Sequence, residues 1–402
     1  MVEVSNYGSD YLLLGLRIDK HRKGYVDYYY GPPELKALAD SEPKKTPEEL
    51  QRDCKRLITN LSDQGFDEKR EKYLEKTLDA IDITIKTELL DVKKPVKEIF
   101  EALTNMELRP YRESQLDDLK EQCDEAYSGT GTLSEKMAEM RKKRTIPKDK
   151  VMKAFQKGLD IVERRTRELF PDLLPKEESI ELQAITSDGN IKWVAYDGYK
   201  GNFKSLVEVN TEYCTYWTGF LRLGAHEGYP GHHTEFVVAE DKLYRRGAQF
   251  ERGILLYPTP YMIICEGIAD MALNALFSYQ EQEQIVLREF CPDSANKPSI
   301  EELVQQSLVR KNFRMFDYNA AYHKLIDKWS DDEVIEYLTS FEIYNNEMIL
   351  NIVKTINNPV FAITSFTHQL GRNLIINKFG DYPSPKNFRY LLENPILPSD
   401  LT

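Results

Sequence analysis

The chain has 402 residues, 41% hydrophobic and 30% charged, enough to bury a substantial core in one large or two ordinary domains. A net charge of −12 argues against a general role on nucleic acid or anionic membranes, which need basic patches. The five cysteines are scattered without a Cys-x-x-Cys pair, which excludes a cysteine-based zinc knuckle and points to a reducing compartment.

The N-terminus lacks a basic start followed by an unbroken apolar run, and no stretch approaches the ~20 apolar residues of a membrane span. A cytoplasmic protein is expected. Tyr11 to Leu16 open a first helix, and Asp27 with Tyr28, Tyr29, Tyr30 and Pro32 turns the chain. Thr46, Pro47 and Glu49 form a helix start: N-cap, first-turn proline and capping-box glutamate. Residues 69–90 repeat Tyr73, Leu74, Leu78, Ile81 and Ile85 at helical spacing. Residues 94–128 predict a helix or pair of helices broken at Pro110, and Thr132 with Glu135 is a second capping box. Val151, Phe155, Leu159 and Val162 mark one face of a long helix ending near Pro171.

At 180–211 the pattern turns extended. Residues 181–186 and 191–196 flank Ser187, Asp188, Gly189 and Asn190, which predicts a hairpin, and residues 204–210 read as a third strand. The edge of such a small antiparallel sheet suits an extended peptide, which would dock by strand addition.

Residues 226–233 read His-Glu-Gly-Tyr-Pro-Gly-His-His and hold half of the six histidines. Imidazoles hold a catalytic zinc, and an adjacent carboxylate handles the proton of its water. On an ideal helix His233 lies ~10.5 Å along the axis from His226, and His232 is ~120° out of phase. Pro230 and Gly231 predict a bulge or kink. With two residues looped out, His232 returns to the face of His226. That reading makes His226 and His232 metal ligands and Glu227 the general base, with His233 an outer partner or alternative ligand. Downstream, Glu266 and Asp270 are the only acids of an apolar helix and share one face. A carboxylate there is costly unless paired or metal-bound. Glu266 is therefore the candidate third ligand and Asp270 the partner of a ligand imidazole.

Residues 226–235, Glu266 to Ala269 downstream, and the Asn210-Thr211 step resemble the large microbial family called domain of unknown function 885. The likeness covers roughly residues 150–402. Its members look like relatives of helical His-Glu-x-Gly-His zinc peptidases of the oligopeptidase and thermostable carboxypeptidase type. The resemblance implies one zinc ion, a hydrolase acting on a small peptide or amide, and a place for Asn210 beside the substrate. Ile268 stands where the family has Trp. Arg314, Asp317 and His323 only loosely match its downstream stretch, and His368 stands three residues before Gly371 where Tyr is usual. His368 or His323 would then donate to a developing oxyanion. Arg314 would fork onto a substrate carboxylate. Arg372, four residues from His368 in an apolar helix, joins the substrate-binding candidates.

The expected whole is a mainly α protein of multi-helix, zincin-like peptidase architecture. A small antiparallel sheet sits beside the metal-bearing helix, and a cleft separates an N-terminal helical region (1–175) from a catalytic region (176–402), the two being parts of one continuous fold. Two other functions fit the same residues: hydrolysis or lysis of a non-peptide amide or small metabolite, and a non-catalytic metal-stabilised scaffold.

Overall fold

The structure, a computed structural model, describes residues 4–186, 193–213, 215–292, 297–358 and 362–402. It is mainly helical, with two small sheets. The two capping boxes form where the sequence places them, Thr46 on Pro47–Thr59 and Thr132 on Leu133–Arg144; Ser330 makes another on Asp331–Ser340, and Ser299 caps Ile300–Arg310 through the Glu302 amide. Each satisfies amide donors that the first helical turn leaves without a partner. The long amphipathic helix spans Lys148–Leu169, and its buried stripe is Val151, Phe155, Leu159 and Val162.

Three large hydrophobic clusters hold the described residues together, and a small fourth gathers Ala80, Ile83 and Leu103. One joins the N-terminal helices to Phe250, Ile254 and Leu256. A second packs Phe100, Leu116 and Met137 against Phe316, Leu338 and Phe366. The third and central one packs Phe155 and Leu159 against Phe220, Ala225, Ile264 and Ile375. Each of these three draws on both sides of residue 175. No single helix among the described residues is long and apolar enough to cross a membrane.

Strand β1 (Val26–Tyr29) comes from the tyrosine-rich segment read as a turn, and it pairs antiparallel with β5 (Ile254–Leu256). Strands β2 (Ser179–Ile185), β3 (Ala195–Gly201) and β4 (Lys204–Asn210) form the second sheet in the order β2-β4-β3. This corrects the expected hairpin. β3 and β4 are the antiparallel pair, while β2 runs parallel to β4 on its other edge. The short link between β3 and β4 carries Gly201, Asn202 and Phe203 at positive φ, a conformation that reverses the chain tightly there. The Ser187–Asn190 turn lies outside the described residues.

Candidate metal centre

The first motif helix, Phe220–Glu227, stops at Gly228, and the second, His232–Val238, starts one residue after Gly231. Between them the Gly231 amide donates to the Ala225 carbonyl at 3.0 Å and the Thr234 amide to the Gly228 carbonyl at 3.3 Å. Both bonds reach back six residues instead of four, so two residues are looped out. A side chain at Gly231 would put its Cβ 2.0 Å from the His226 carbonyl oxygen, so only glycine allows this closure. The imidazoles of His226 and His232 end 4.8 Å apart, centroid to centroid, at 87°.

The acids arrive on the Tyr261–Leu276 helix, delivered as expected by Pro258 and Pro260. Beside it lies the Thr364–Phe379 helix. The two meet backbone to backbone: a Cβ on Gly371 would fall 2.0 Å from the Ile263 carbonyl oxygen and 2.8 Å from the Gly267 nitrogen. That crossing sets His368 against Glu266 and Asp270. We expect Gly371→Ala to force the helices apart and cost about 1–3 kcal/mol, as overpacked cores do, measured by urea denaturation.

His226 Nε2 and His232 Nε2 each lie 3.6 Å from the same atom, Glu266 Oε2. That separation is too long for a hydrogen bond. The oxygen is buried and accepts none. Tetrahedral zinc with donors at about 2.0–2.2 Å spaces neighbouring donor atoms by about 3.3–3.6 Å. Each imidazole thus stands from Glu266 Oε2 at the spacing of two donors on one divalent ion. Glu227, buried, makes a group of its own with the two imidazoles: one donor atom each from His226, Glu227 and His232 lie within 4.8 Å of one another. Behind the imidazoles, Asp270 Oδ1 stands 3.2 Å from His226 Nδ1, close but without the alignment of a hydrogen bond. His232 Nδ1 faces the Cys265 thiol at 3.3 Å and Glu235 Oε2 at 4.0 Å. His368 Nδ1 is 3.1 Å from both Glu266 Oε2 and Asp270 Oδ2, so its Nε2 is free to donate to an oxyanion only when the ring is the imidazolium.

Burial alone would raise the carboxyls of Glu266 and Asp270. His368 and the other imidazoles overcome it and hold both well below the usual carboxylate range. Burial opposes the charged form of His232, but the Cys265 and Glu266 side chains lift its pKa well above the ordinary imidazole value. Carboxylates depressed in the native state add stability that is complete above their unfolded values, near pH 4, and is lost as pH falls through the native ones. Metal-free protein should therefore lose stability progressively below about pH 4. Asp270→Asn should flatten that loss in denaturant titrations at stepped pH.

A second acidic group, which the sequence reading missed, borders the site. Tyr196 on β3 donates to Asp27 Oδ1 on β1. Asp27 touches solvent yet is hemmed in, and burial raises its pKa against the pull of Tyr196 and His232. Asp197 is buried, and that burial pushes its carboxyl up to about 8 despite a 3.0 Å hydrogen bond from Ser205 Oγ. Arg222, also missed, stands 3.9 Å from Asp270. Its position four residues before His226, on the same helix face, was the available clue. Nothing local in the sequence ties β1 or β3 to the motif.

Other candidates fall elsewhere. His233 is fully buried, and both its ring nitrogens are taken, Nδ1 by Ser205 Oγ at 2.8 Å and Nε2 by Glu178 Oε2 at 2.7 Å. It ties the second motif helix to the sheet, which corrects its reading as an alternative ligand. His323 stacks on Trp329 and faces Asp327 at 2.7 Å and Glu113 at 3.4 Å, among side chains of the second cluster, so the structure does not bring it to the site. Arg372 donates to the Lys311 carbonyl and the Tyr279 hydroxyl. Arg314 lies close enough to depress the Asp270 pKa. Asn210 is buried at the end of β4, where its Oδ1 accepts from the Glu212 amide at 3.1 Å.

No family model matches the sequence, and no curated protein matches it significantly. Solved structures do. A protein described as a "putative lipoprotein" from Colwellia psychrerythraea is similar at a TM-score of 0.54 and 12% identity, over 90% of this chain and 63% of that one. A second such protein, of unknown function, from Shewanella oneidensis gives 0.52 and 11%, over 91% of this chain and 74% of its own. The chain thus spans less than two thirds of the Colwellia protein. At such identities the likeness establishes a shared fold and nothing about chemistry.

Proposed function

We propose that the chain is a zinc-dependent hydrolase of short peptides, a distant relative of the domain of unknown function 885 family and of the helical zinc peptidases it resembles. The observation that carries the reading is the convergence of His226 Nε2 and His232 Nε2, each 3.6 Å away, on one buried carboxylate oxygen that accepts no hydrogen bond. In this reading His226, His232 and Glu266 hold the ion. Bound zinc supplies a Lewis acid and brings the pKa of its water near neutrality. Glu227 takes the proton of the attacking water and passes it to the leaving amine. Asp270 orients His226 from behind. His368, as the imidazolium, would donate from Nε2 to the oxyanion. The motif cluster is largely closed, with only a quarter of the Glu266 side chain exposed, which favours small substrates over folded proteins.

The test is to strip the protein of metal, add back zinc, and follow thermal unfolding alongside cleavage of a mixed short-peptide pool. Zinc should raise the unfolding temperature and switch on cleavage. At a thousandfold excess over its dissociation constant the stabilisation is about 4 kcal/mol. Stabilisation with no peptide cleaved would favour a non-peptide amide or a structural metal, and no zinc response at all would end the reading.

A further inference from the structure

We propose that Arg252 binds a single chloride ion inside the fold, where the N-terminal helices meet the helix that carries Glu266. The site is separate from the candidate metal centre and stands or falls apart from the hydrolase reading. Arg252 lies in the short turn Phe250–Gly253 that leads into β5, and it is only 4% exposed. A guanidinium keeps its charge inside a protein. Its faces are covered by rings: Cζ lies 4.6 Å from the Tyr73 ring centre and 4.7 Å from that of Tyr261. Aromatic faces offset only part of the hydration that a buried cation loses.

One side of the guanidinium has no partner. Nε and Nη2 are buried and make no hydrogen bond among the described residues. Arg70 shows what this side of the fork can grip. Its Nε donates to Glu251 Oε1 at 2.8 Å and its Nη2 to Glu251 Oε2 at 2.7 Å. The same two nitrogens of Arg252 aim paired N–H bonds in one direction.

The counter-charge is missing as well. Arg70 occupies both oxygens of Glu251, the acid next to Arg252 in sequence. Glu235, which also feels the guanidinium, accepts from the Tyr261 hydroxyl and faces His232 at 4.0 Å. Among the described residues no carboxylate pairs with Arg252 within 4.0 Å. The surrounding phenols supply no charge, because burial raises the hydroxyls of Tyr11, Tyr28, Tyr73 and Tyr261 and keeps them neutral. A buried charge left in this way is strongly destabilising.

The space beside it selects the ligand. Arg252 and those four tyrosines line a cavity of about 10 Å³, room for one water-sized particle. That size rejects carboxylates, phosphate and other polyatomic anions. Water would accept from both N–H groups and bring no charge. A monatomic anion does both, and chloride sheds its hydration more readily than fluoride. The walls come from the Asn6–Asp19 helix, β1, the Glu68–Thr84 helix and the start of the Tyr261–Leu276 helix. The ion therefore ties together segments distant in the chain, and its binding adds to the stability of the whole fold.

Two measurements test this. Full-length protein is kept in a chelator, so that no metal takes up halide, and is unfolded thermally while sodium chloride replaces sodium gluconate at constant ionic strength. Gluconate is too large for the cavity. Above the dissociation constant, each tenfold rise in chloride should raise the unfolding temperature by about 1–2 °C for a chain of this length. Arg252→Met should lose that dependence. Crystals grown in chloride and measured by long-wavelength anomalous diffraction should show a chlorine peak against Nε and Nη2 of Arg252. Equal unfolding temperatures in the two salts overturn the proposal. A peak without a shift is binding at crystal concentration only and overturns it too. A shift that persists in Arg252→Met places the halide elsewhere, with the same consequence. Should that variant fail to fold, the wild-type peak and shift decide together, and density without a chlorine signal identifies a buried water and ends the proposal.

Discussion

Glu227→Gln should lower kcat by about 10²–10⁴ while zinc binds as before, because a general base contributes that much when its proton acceptor is lost. The substitution keeps the shape of a buried side chain at the C-terminal end of the first motif helix and removes only its charge and basicity. Zinc affinity by competition with a chromogenic chelator, and kcat on the best short peptide, separate the two effects. Asp197→Asn is the control. Asp197 is a buried acid whose titration Glu227 influences, with a pKa near 8, and it is the carboxyl most able to stand in. A loss of less than tenfold in Glu227→Gln would remove Glu227 from the chemistry.

Glu266→Gln should weaken zinc binding by more than the 10–100-fold that loss of an outer partner typically costs, since it takes away a charged donor itself. The carboxylate is the one group that both imidazoles face at 3.6 Å and that His368 meets at 3.1 Å. Asp270→Asn, which touches the imidazoles from behind, should stay within the smaller range. Titration calorimetry on the two variants side by side reads the ratio. Equal losses would mean that Glu266 is no ligand and that the ion, if bound, sits between His226, Asp270 and His368, which also bring donor atoms within 4.8 Å of one another.

Residue chemistry by itself determined the helical character, the capped helix starts and the interruption at Pro230 and Gly231. These are local properties: a cap needs only its own first turn, and a glycine-proline break needs only its own backbone. The pairing of Glu266 with the histidines was also legible, because an acid in an apolar helix has to be compensated. Tertiary structure alone decided the rest. Strand order depends on which edge meets which across long separations, so the hairpin predicted from a turn sequence gave way to β2 running parallel beside β4. His232 and His233 are neighbours in sequence, and only packing against the sheet turns His233 away, into Glu178 and Ser205. The backbone contact of Gly267 with Gly371 brings His368 to the acids, and β1 carries Asp27 to the opposite flank. Such meetings are set by how helices and strands from distant parts of the chain share one apolar core, which no window of sequence contains.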